Sequence, residues 1–471
     1  MARYILENNI ALRSWSDIPY ACYTRGELHP RTLSKTEFLT MIRCDGTEEL
    51  DASPVLAKLL AEGLIREAAD GEAISPWQQY EYFGSDFFPF STLEITERCN
   101  YNCRHCFNAA DSGAPSAELS LAEIGRVLDE LRACGVQNVK LTGGEPTLRP
   151  DFPEIVRMIR EKELYLYSVN TNGAFLTEEL LGCIRENGFS PIMKISFDGL
   201  GFHDWMRGHA HAEERTLEAI RRCIAEGFRV MVQMNMNRRN VDTIPRSLEH
   251  LDALGVSGTR LIRTTEAPRW ERQAGGDCLS WKQYFDCSLE IAKRYVRDNH
   301  TMSLAFWMFL SLEVSGRSFR CDRIKPADVG AYLNRYICRD RIDIGADGRL
   351  YPCLQMSGWM KAHGICLGDI KERSLSELLR DSEYAGFINR RVRDKAEVNA
   401  QCADCPDLPY CRGGCPAVSI LTGGGPLSKD EASCLFFGER YYKKIEAALP
   451  GFRNLSPMPE EGVSRTALTT S

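Results

Sequence analysis

The sequence predicts an α/β protein built on a parallel sheet, and three observations carry that prediction. Between about residues 91 and 296, six short β-rich runs alternate with amphipathic helical runs. The alternation implies parallel strands joined by right-handed crossovers. Six units are too few for a closed eight-unit barrel. Several sequences rich in Gly, Asn or Cys fall just after the strand candidates, where function gathers in such folds.

The strand candidates are Thr92–Thr96, Asn138–Thr142, Tyr165–Asn170, Ile192–Phe197, Arg229–Asn235 and Thr259–Arg263. Helical periodicity marks Leu121–Cys134, Phe152–Glu161, Thr177–Asn187 and Glu213–Glu226 between them. The most apolar stretch, Met302 to Leu312, is too short to span a bilayer and predicts a buried helix or strand.

Composition bounds the remaining options. The 471 residues are 44% hydrophobic and 26% charged, with a formal net charge of -7, as in a soluble protein of two to four domains. No long basic block appears, so neither nucleic acid nor an anionic membrane is expected as partner. The N-terminus lacks the apolar core of a signal peptide, which predicts a cytoplasmic protein. Nineteen cysteines in that compartment point to metal rather than disulfides.

The loop after the first strand reads Glu97-Arg98-Cys99-Asn100-Tyr101-Asn102-Cys103-Arg104-His105-Cys106. Three thiolates in CxxxCxxC spacing can hold three irons of a [4Fe–4S] cube and leave the fourth open to a cofactor. After the second strand comes Gly143-Gly144-Glu145-Pro146. Alone it is a turn, but glycines also admit close approach of a ligand, and a carboxylate accepts bonds from an ammonium group. Asn170-Thr171-Asn172-Gly173 follows the third strand, and Ser196-Phe197-Asp198-Gly199, with Arg207 beyond it, follows the fourth.

These motifs resemble those of the radical S-adenosylmethionine enzymes. The resemblance implies a partial (β/α)6 TIM-like barrel. It implies that the open iron chelates the amino and carboxylate groups of S-adenosylmethionine, and that an electron from the reduced cluster then yields a 5′-deoxyadenosyl radical. Cys99, Cys103 and Cys106 become the ligands of the catalytic cluster. Gly143, Gly144 and Glu145 become the contact to the cofactor's amino group, Asn172 a neighbour of the ribose, and Ser196 a contact to the carboxylate. Arg207 becomes a second anion contact, with a surface or helix-end role the alternative, and His105 joins the cofactor set. For Asn235 a core or turn role outranks an adenosine contact. Clusters with an open iron are oxygen-sensitive, which places the enzyme in an anaerobic or low-oxygen setting.

A second array near the C-terminus comprises Cys338, Gly348, Cys353, Cys402, Cys405, Cys411, Cys415 and Cys434. Its spacing resembles the SPASM extension of the same enzymes. The resemblance assigns Cys402, Cys405, Cys411 and Cys434 to one auxiliary [4Fe–4S] cluster, and Cys338, Cys353 and Cys415 to another, for three clusters in all. Cys321 is the nearest upstream candidate for the missing eighth ligand; Cys366 is weaker, and an open iron is the alternative. A zinc ribbon is the rival reading of Cys402–Cys415. The other cysteines read as small buried apolar residues. A radical epimerase needs one as hydrogen donor, and Cys278 or Cys287 could serve.

About 90 residues precede the first strand. Tyr4–Leu6 and Ile10–Arg13 predict a β-hairpin, Thr36–Arg43 and Pro54–Glu62 two helices, Asp45-Gly46-Thr47 an exit turn, and Gly63-Leu64-Ile65 the start of a wing. This order resembles the winged-helix-like recognition domain of ribosomal peptide biosynthesis, in which a leader peptide adds as a strand to the hairpin edge. A DNA-binding wing would need a Lys/Arg-rich face that the segment lacks. The expected organisation is a recognition domain at 1–80, the barrel at 90–315, a bridge and SPASM domain at 316–450, and a disordered tail at 451–471. Leu427–Leu449 predicts one helix carrying Cys434.

Together these readings predict a peptide maturase that oxidatively crosslinks a ribosomally made precursor, with a thioether as the favoured product. The expected partners are that precursor and a low-potential donor such as flavodoxin or ferredoxin. Carbon–carbon crosslinking, cyclopropane formation or epimerisation would use the same parts. A sulfatase maturase-like oxidase making formylglycine shares the barrel and the cysteine array but needs no recognition domain. A non-catalytic redox sensor is the reading from another class.

Overall fold

The computed structural model describes residues 2–106, 118–266, 268–307, 309–321, 330–333 and 339–455. Cys338, which the sequence assigns to an auxiliary cluster, and the tail beyond 455 lie outside them.

The six barrel strands are Phe90–Glu94, Asn138–Thr142, Tyr165–Thr171, Ile192–Ser196, Val230–Met236 and Gly258–Arg263, parallel and in chain order. The four expected helices run Leu121–Ala133, Phe152–Glu161, Glu178–Glu186 and Ala212–Ala225. The strands pack their apolar side chains into the same core as the helices. Val139, Leu141, Met193, Ile195 and Leu261 are fully buried in one core with Ile124, Leu128, Ile155 and Ile220. The apolar stretch from Met302 is two strands: Ser303–Phe306 extends the parallel set, and Leu310–Glu313 turns back on it. At the other edge Arg341–Ile344 pairs in parallel with the first strand. The result is an open sheet of 12 strands in which C-terminal residues flank the barrel on its first-strand side.

The N-terminal residues depart from the expected hairpin. Ala2–Leu6 pairs with Asp45–Leu50 on one side and Ile65–Glu67 on the other. Ile10–Ser14 belongs to a different sheet, beside Ala21–Thr24 and Glu81–Tyr82. A turn does form, with Ile10 N–H donating to Glu7 O at 2.9 Å, but neighbouring donors are already committed: Leu6 N–H to Cys44 O and Glu7 N–H to Leu64 O, both at 3.1 Å. The expected exit turn at Asp45–Thr47 is likewise strand. Its turn-forming residues sit where the register with the first strand shifts, and Gly46 takes φ +88° there. The two helices form as expected, at Lys35–Ile42 and Pro54–Ala61. Ser34 and Glu37 cap the first reciprocally, and Ser53 with Pro54 starts the second.

The second N-terminal sheet is tied to the barrel. Trp15 is fully buried and its Nε1 donates to Gly135 O at 3.1 Å, while Tyr23 Oη donates to Asn138 Oδ1 at 3.0 Å. Near the C-terminus the single expected helix is two, Glu431–Gly438 and Tyr441–Ala448, broken at Arg440 with φ +52°. The break lets both Phe436 and Tyr441 pack on Phe285 of the barrel helix Trp281–Arg297, at ring separations of 5.8 and 4.9 Å. Among the described residues no helix is long and apolar enough to cross a membrane.

Candidate active site

The cysteine loop leaves the first strand and is held by its neighbours. Thr96 Oγ1 and Glu97 N–H both donate to Glu118 Oε1, at 2.7 and 2.8 Å. Gly144 N–H donates to Thr96 O and Glu145 N–H to Arg98 O, each at 2.8 Å. This contact explains the paired glycines: a Cβ on Gly144 would lie 2.2 Å from Arg98 O, and one on Gly143 2.5 Å from Thr96 O. The backbone after the second strand therefore lies directly against the cysteine loop.

Glu145 is fully buried, and its carboxylate bridges the second and third loops. It accepts from Asn172 N–H at 2.7 Å, Thr171 Oγ1 at 2.7 Å and Thr147 Oγ1 at 2.6 Å. Burial nonetheless raises its pKa above the ordinary carboxylate value, despite those bonds. Asn172 in turn donates through Nδ2 to Asn100 Oδ1 at 2.8 Å. Ser196 ends the fourth strand half-buried. The three strand-end segments are thus interlocked around the cysteines.

The sulfurs face donors suited to thiolates. Tyr101 N–H points to Cys99 Sγ at 3.5 Å, Asn172 Nδ2 lies 4.0 Å from the same sulfur, and Arg207 Nη1 donates to Cys103 Sγ at 3.6 Å. Burial pushes the Cys99 thiol up to about 12, so this site favours sulfur either as thiol or as metal-bound thiolate. Among the described residues no three His, Cys, Asp or Glu side chains converge as for one metal ion. A four-iron cube spreads its ligands over separate irons. Three thiols on one loop, met by N–H donors and a guanidinium, fit such a cube.

Arg207 is buried here rather than on the surface. Its Nη2 lies 2.8 Å from Asp198 Oδ2, and both side chains are inaccessible or nearly so. Burial disfavours the Asp198 carboxylate, but Arg207, His105, His203 and Asn235 N–H, at 2.9 Å, hold its pKa below the ordinary value. His203 Nδ1 accepts from Asp198 N–H at 3.0 Å. His105 is half-buried nearby; desolvation and then Arg207 bring its pKa down to about 4 against the pull of Asp198, which keeps the ring neutral. Its Nδ1 has no hydrogen-bond partner among the described residues. The sequence reading singled out Arg207 but missed Asp198 as its partner. The signal was the acid inside Ser196-Phe197-Asp198-Gly199. Asn235 is half-buried near the end of the fifth strand, where its N–H donates to Asp198 Oδ1.

The C-terminal cysteines fall into two groups. Cys402, Cys405 and Cys411 pack together with Val392 and Leu408, and the Cys434 thiol is raised by burial and then by Asp430, Cys402 and Cys405. Cys415 and Cys353 are both buried, and burial, Asp430 and Cys353 push the Cys415 thiol up to about 12. Arg341 Nη2 donates to Cys353 Sγ at 3.5 Å. Cys321 is fully buried just after the strand Ser318–Arg320, whereas Cys366 is exposed. Replacing Cys321 by Ala is expected to change the electron paramagnetic resonance spectrum of one auxiliary cluster; an unchanged spectrum removes it from the ligand set. Cys278 stands beside Glu266 and Trp270, and Cys287 lies on the helix Trp281–Arg297.

Comparison with known proteins agrees with this geometry. Residues 93–251 match the radical SAM superfamily and residues 337–406 the iron–sulfur cluster-binding domain SPASM. The chain is 30% identical to pre-heme d1 synthase of Dinoroseobacter shibae over 371 residues, 74% of this chain and 87% of that protein. It is 26% identical to PqqA peptide cyclase of Rhodopseudomonas palustris over 361 residues, 75% and 89% of the two chains. Among solved structures, Streptococcus suis SuiB bound to precursor peptide SuiA superposes with a TM-score of 0.65 at 13% identity, covering 92% of this chain and all of that one. The protein belongs to the radical S-adenosylmethionine superfamily and carries a SPASM domain. It is an enzyme that uses S-adenosylmethionine with a [4Fe–4S] cluster, and its SPASM domain binds auxiliary iron–sulfur clusters.

Proposed function

We propose that the protein matures a ribosomally made precursor peptide by oxidative crosslinking, with a thioether as the favoured product. The observation that carries this reading is the N-terminal module. The fold shared with SuiB covers 92% of the chain, and residues 90–471 are only about four fifths of it, so the likeness extends into the first 90 residues. SuiB is a protein solved with its precursor peptide, and PqqA peptide cyclase is a curated relative. The module offers two outer strands, Asp45–Leu50 and Ile65–Glu67, to which an extended leader could add by backbone bonds.

The cofactor, when bound with the reduced cluster, supplies hydrogen-atom abstraction from an unactivated carbon. The chain's own residues hold that chemistry in place. Glu145 fixes the second and third loops against each other, Gly143 and Gly144 let the backbone close on the cysteine loop, and Arg207 places positive charge beside Cys103. Crosslinking removes two hydrogens net. One leaves in 5′-deoxyadenosine and the other as a proton and an electron. The Cys353–Cys415 and Cys402–Cys434 groups are where an acceptor for that electron would be held. A flavodoxin or ferredoxin would deliver the priming electron.

Anaerobic incubation of the reconstituted protein with S-adenosylmethionine, reductant and the short peptide encoded beside its gene tests the reading. A peptide lighter by two hydrogens per crosslink, with 5′-deoxyadenosine formed, is expected. A peptide that loses no hydrogens overturns it, and deuterium taken up from heavy water would assign epimerisation instead. The identity to pre-heme d1 synthase favours a second reading, a tetrapyrrole substrate, and conversion of a tetrapyrrole in place of the peptide would establish that instead.

A further inference from the structure

The concave face of the barrel carries cations where a core is expected. Lys140, Lys194 and Arg260 lie on the second, fourth and sixth strands. Each is flanked by residues that pack against the helices: Val139 and Leu141, Met193 and Ile195, Thr259 and Leu261, all at most 1% exposed. Strand alternation therefore turns the three cations to the opposite face, into the lumen. Lys194 is half-buried and Arg260 is exposed, and alternation puts both on the face that lines the lumen. Ser196 lies two residues beyond Lys194, about 7 Å nearer the loops that hold the cysteines. Gln233, on the fifth strand, pairs with both Ser196 and Arg260 and sits between the two cations.

These charges are unevenly balanced. Arg341 also faces this space, from the strand beside the first, but its Nε lies 3.2 Å from Asp343 Oδ2. Lys140 lies over the Phe90 ring at 2.9 Å and feels Asp340 and Asp343. Among the described residues the charges that act on Lys194 are cations, Arg260 and Arg341. Burial, then Arg260 and Arg341, lower its pKa to about 8. Arg260 has Tyr284, Arg341 and Cys353 around it, and burial is the largest influence on it. Like charges held together in a partly dry cavity are unfavourable until an anion arrives.

We propose that Lys194 and Arg260, with Gln233 between them and Lys140 two strands away, form a carboxylate-binding site in the barrel lumen. The site receives a carboxylate of the substrate and so fixes which carbon faces the cofactor. An ammonium and a guanidinium on strands one apart, reaching across the strand between them, can grip the two oxygens of one carboxylate, the guanidinium through two parallel bonds. This deepens the peptide reading and rests on it for the source of the anion, which is either an acidic side chain of the core peptide or its free C-terminus.

Amine acylation of Lys194 in the full-length reconstituted protein at about pH 8, read by peptide mass spectrometry, tests the site. The probes are acetyl-Ala-Glu-Ala-amide, acetyl-Ala-Ala-Ala with a free carboxylate, and acetyl-Ala-Gln-Ala-amide as the neutral control. A bound carboxylate that raises the lysine pKa by one unit or more cuts its neutral fraction from about half to about a tenth, so labelling slows about fivefold. Protection by the first probe assigns the anion to a side chain, and by the second to a terminus; both support the site. Equal protection by the neutral control, or none by either acid, overturns it. Arg260→Gln should abolish the protection, Arg260→Lys should keep part of it, and the auxiliary-cluster spectrum should stay unchanged in both. If that spectrum shifts while protection survives, Arg260 serves the cluster and the proposal fails. No precursor is present in this assay, so a precursor that remains unmodified counts against the peptide reading alone.

Discussion

Replacing Cys99, Cys103 and Cys106 together by Ala abolishes reductive cleavage of S-adenosylmethionine while roughly two thirds of the iron remains, as expected for one cluster lost of three. The effect is all-or-none because the three ligands are replaced together and no other described cysteine packs with them. The remaining described cluster cysteines form separate groups, Cys353 with Cys415 and Cys402 with Cys405, Cys411 and Cys434. The fold should survive, since the loop is held by bonds that do not involve sulfur: Thr96 and Glu97 to Glu118, and Gly144 and Glu145 to Thr96 and Arg98. Iron per protein and 5′-deoxyadenosine formed under reductant are the two measurements. Persistent cleavage refutes the assignment of the catalytic cluster. Loss of all the iron would mean that the loop supports the C-terminal clusters as well.

The barrel was legible because its signal is local. Runs such as Asn138–Thr142 and Ile192–Ser196 are short, apolar on one side and followed by amphipathic helices, and those patterns do not depend on distant residues. The cysteine spacings were legible for the same reason. What the sequence hid was long-range. Tyr4–Leu6 and Ile10–Arg13 look like a hairpin until Cys44 and Leu64 claim the backbone donors around the turn. Leu427–Leu449 looks like one helix until Phe285, far earlier in the chain, selects a break at Arg440. The alternation of Lys140, Lys194 and Arg260 was present in the strands, but only the order of the six parallel strands brings those positions onto one face of the sheet. Asp198 was hidden because a lone acid in a turn-like motif does not reveal the cation it meets.

That buried pair sets the second large effect. Arg207→Met leaves the Asp198 carboxylate at 0% exposure without its cation, and breaking a buried pair from one side costs about 3–5 kcal/mol. The direction of the pH dependence follows from the balance around Asp198. With Arg207 present the folded-state pKa lies below the ordinary value, so the pair's contribution is complete above the unfolded-state pKa and is lost as pH falls through the folded one. Without Arg207, burial dominates and raises the folded pKa, so the variant gains relative stability as pH falls. The gap between the thermal unfolding curves of parent and variant should therefore be widest near neutral pH and narrow in acid. Adding Asp198→Asn to Arg207→Met should recover much of the loss by removing the stranded charge. A gap independent of pH, with no recovery in the double variant, would show that Arg207 matters through packing or through its bond to Cys103 Sγ instead. Arg207→Lys separates the charge pair with Asp198 from the bond to Cys103. It keeps a charge for Asp198 but lacks the fork that reaches Asp198 and Cys103 at once, so it should hold most of the stability while altering the spectrum of the catalytic cluster.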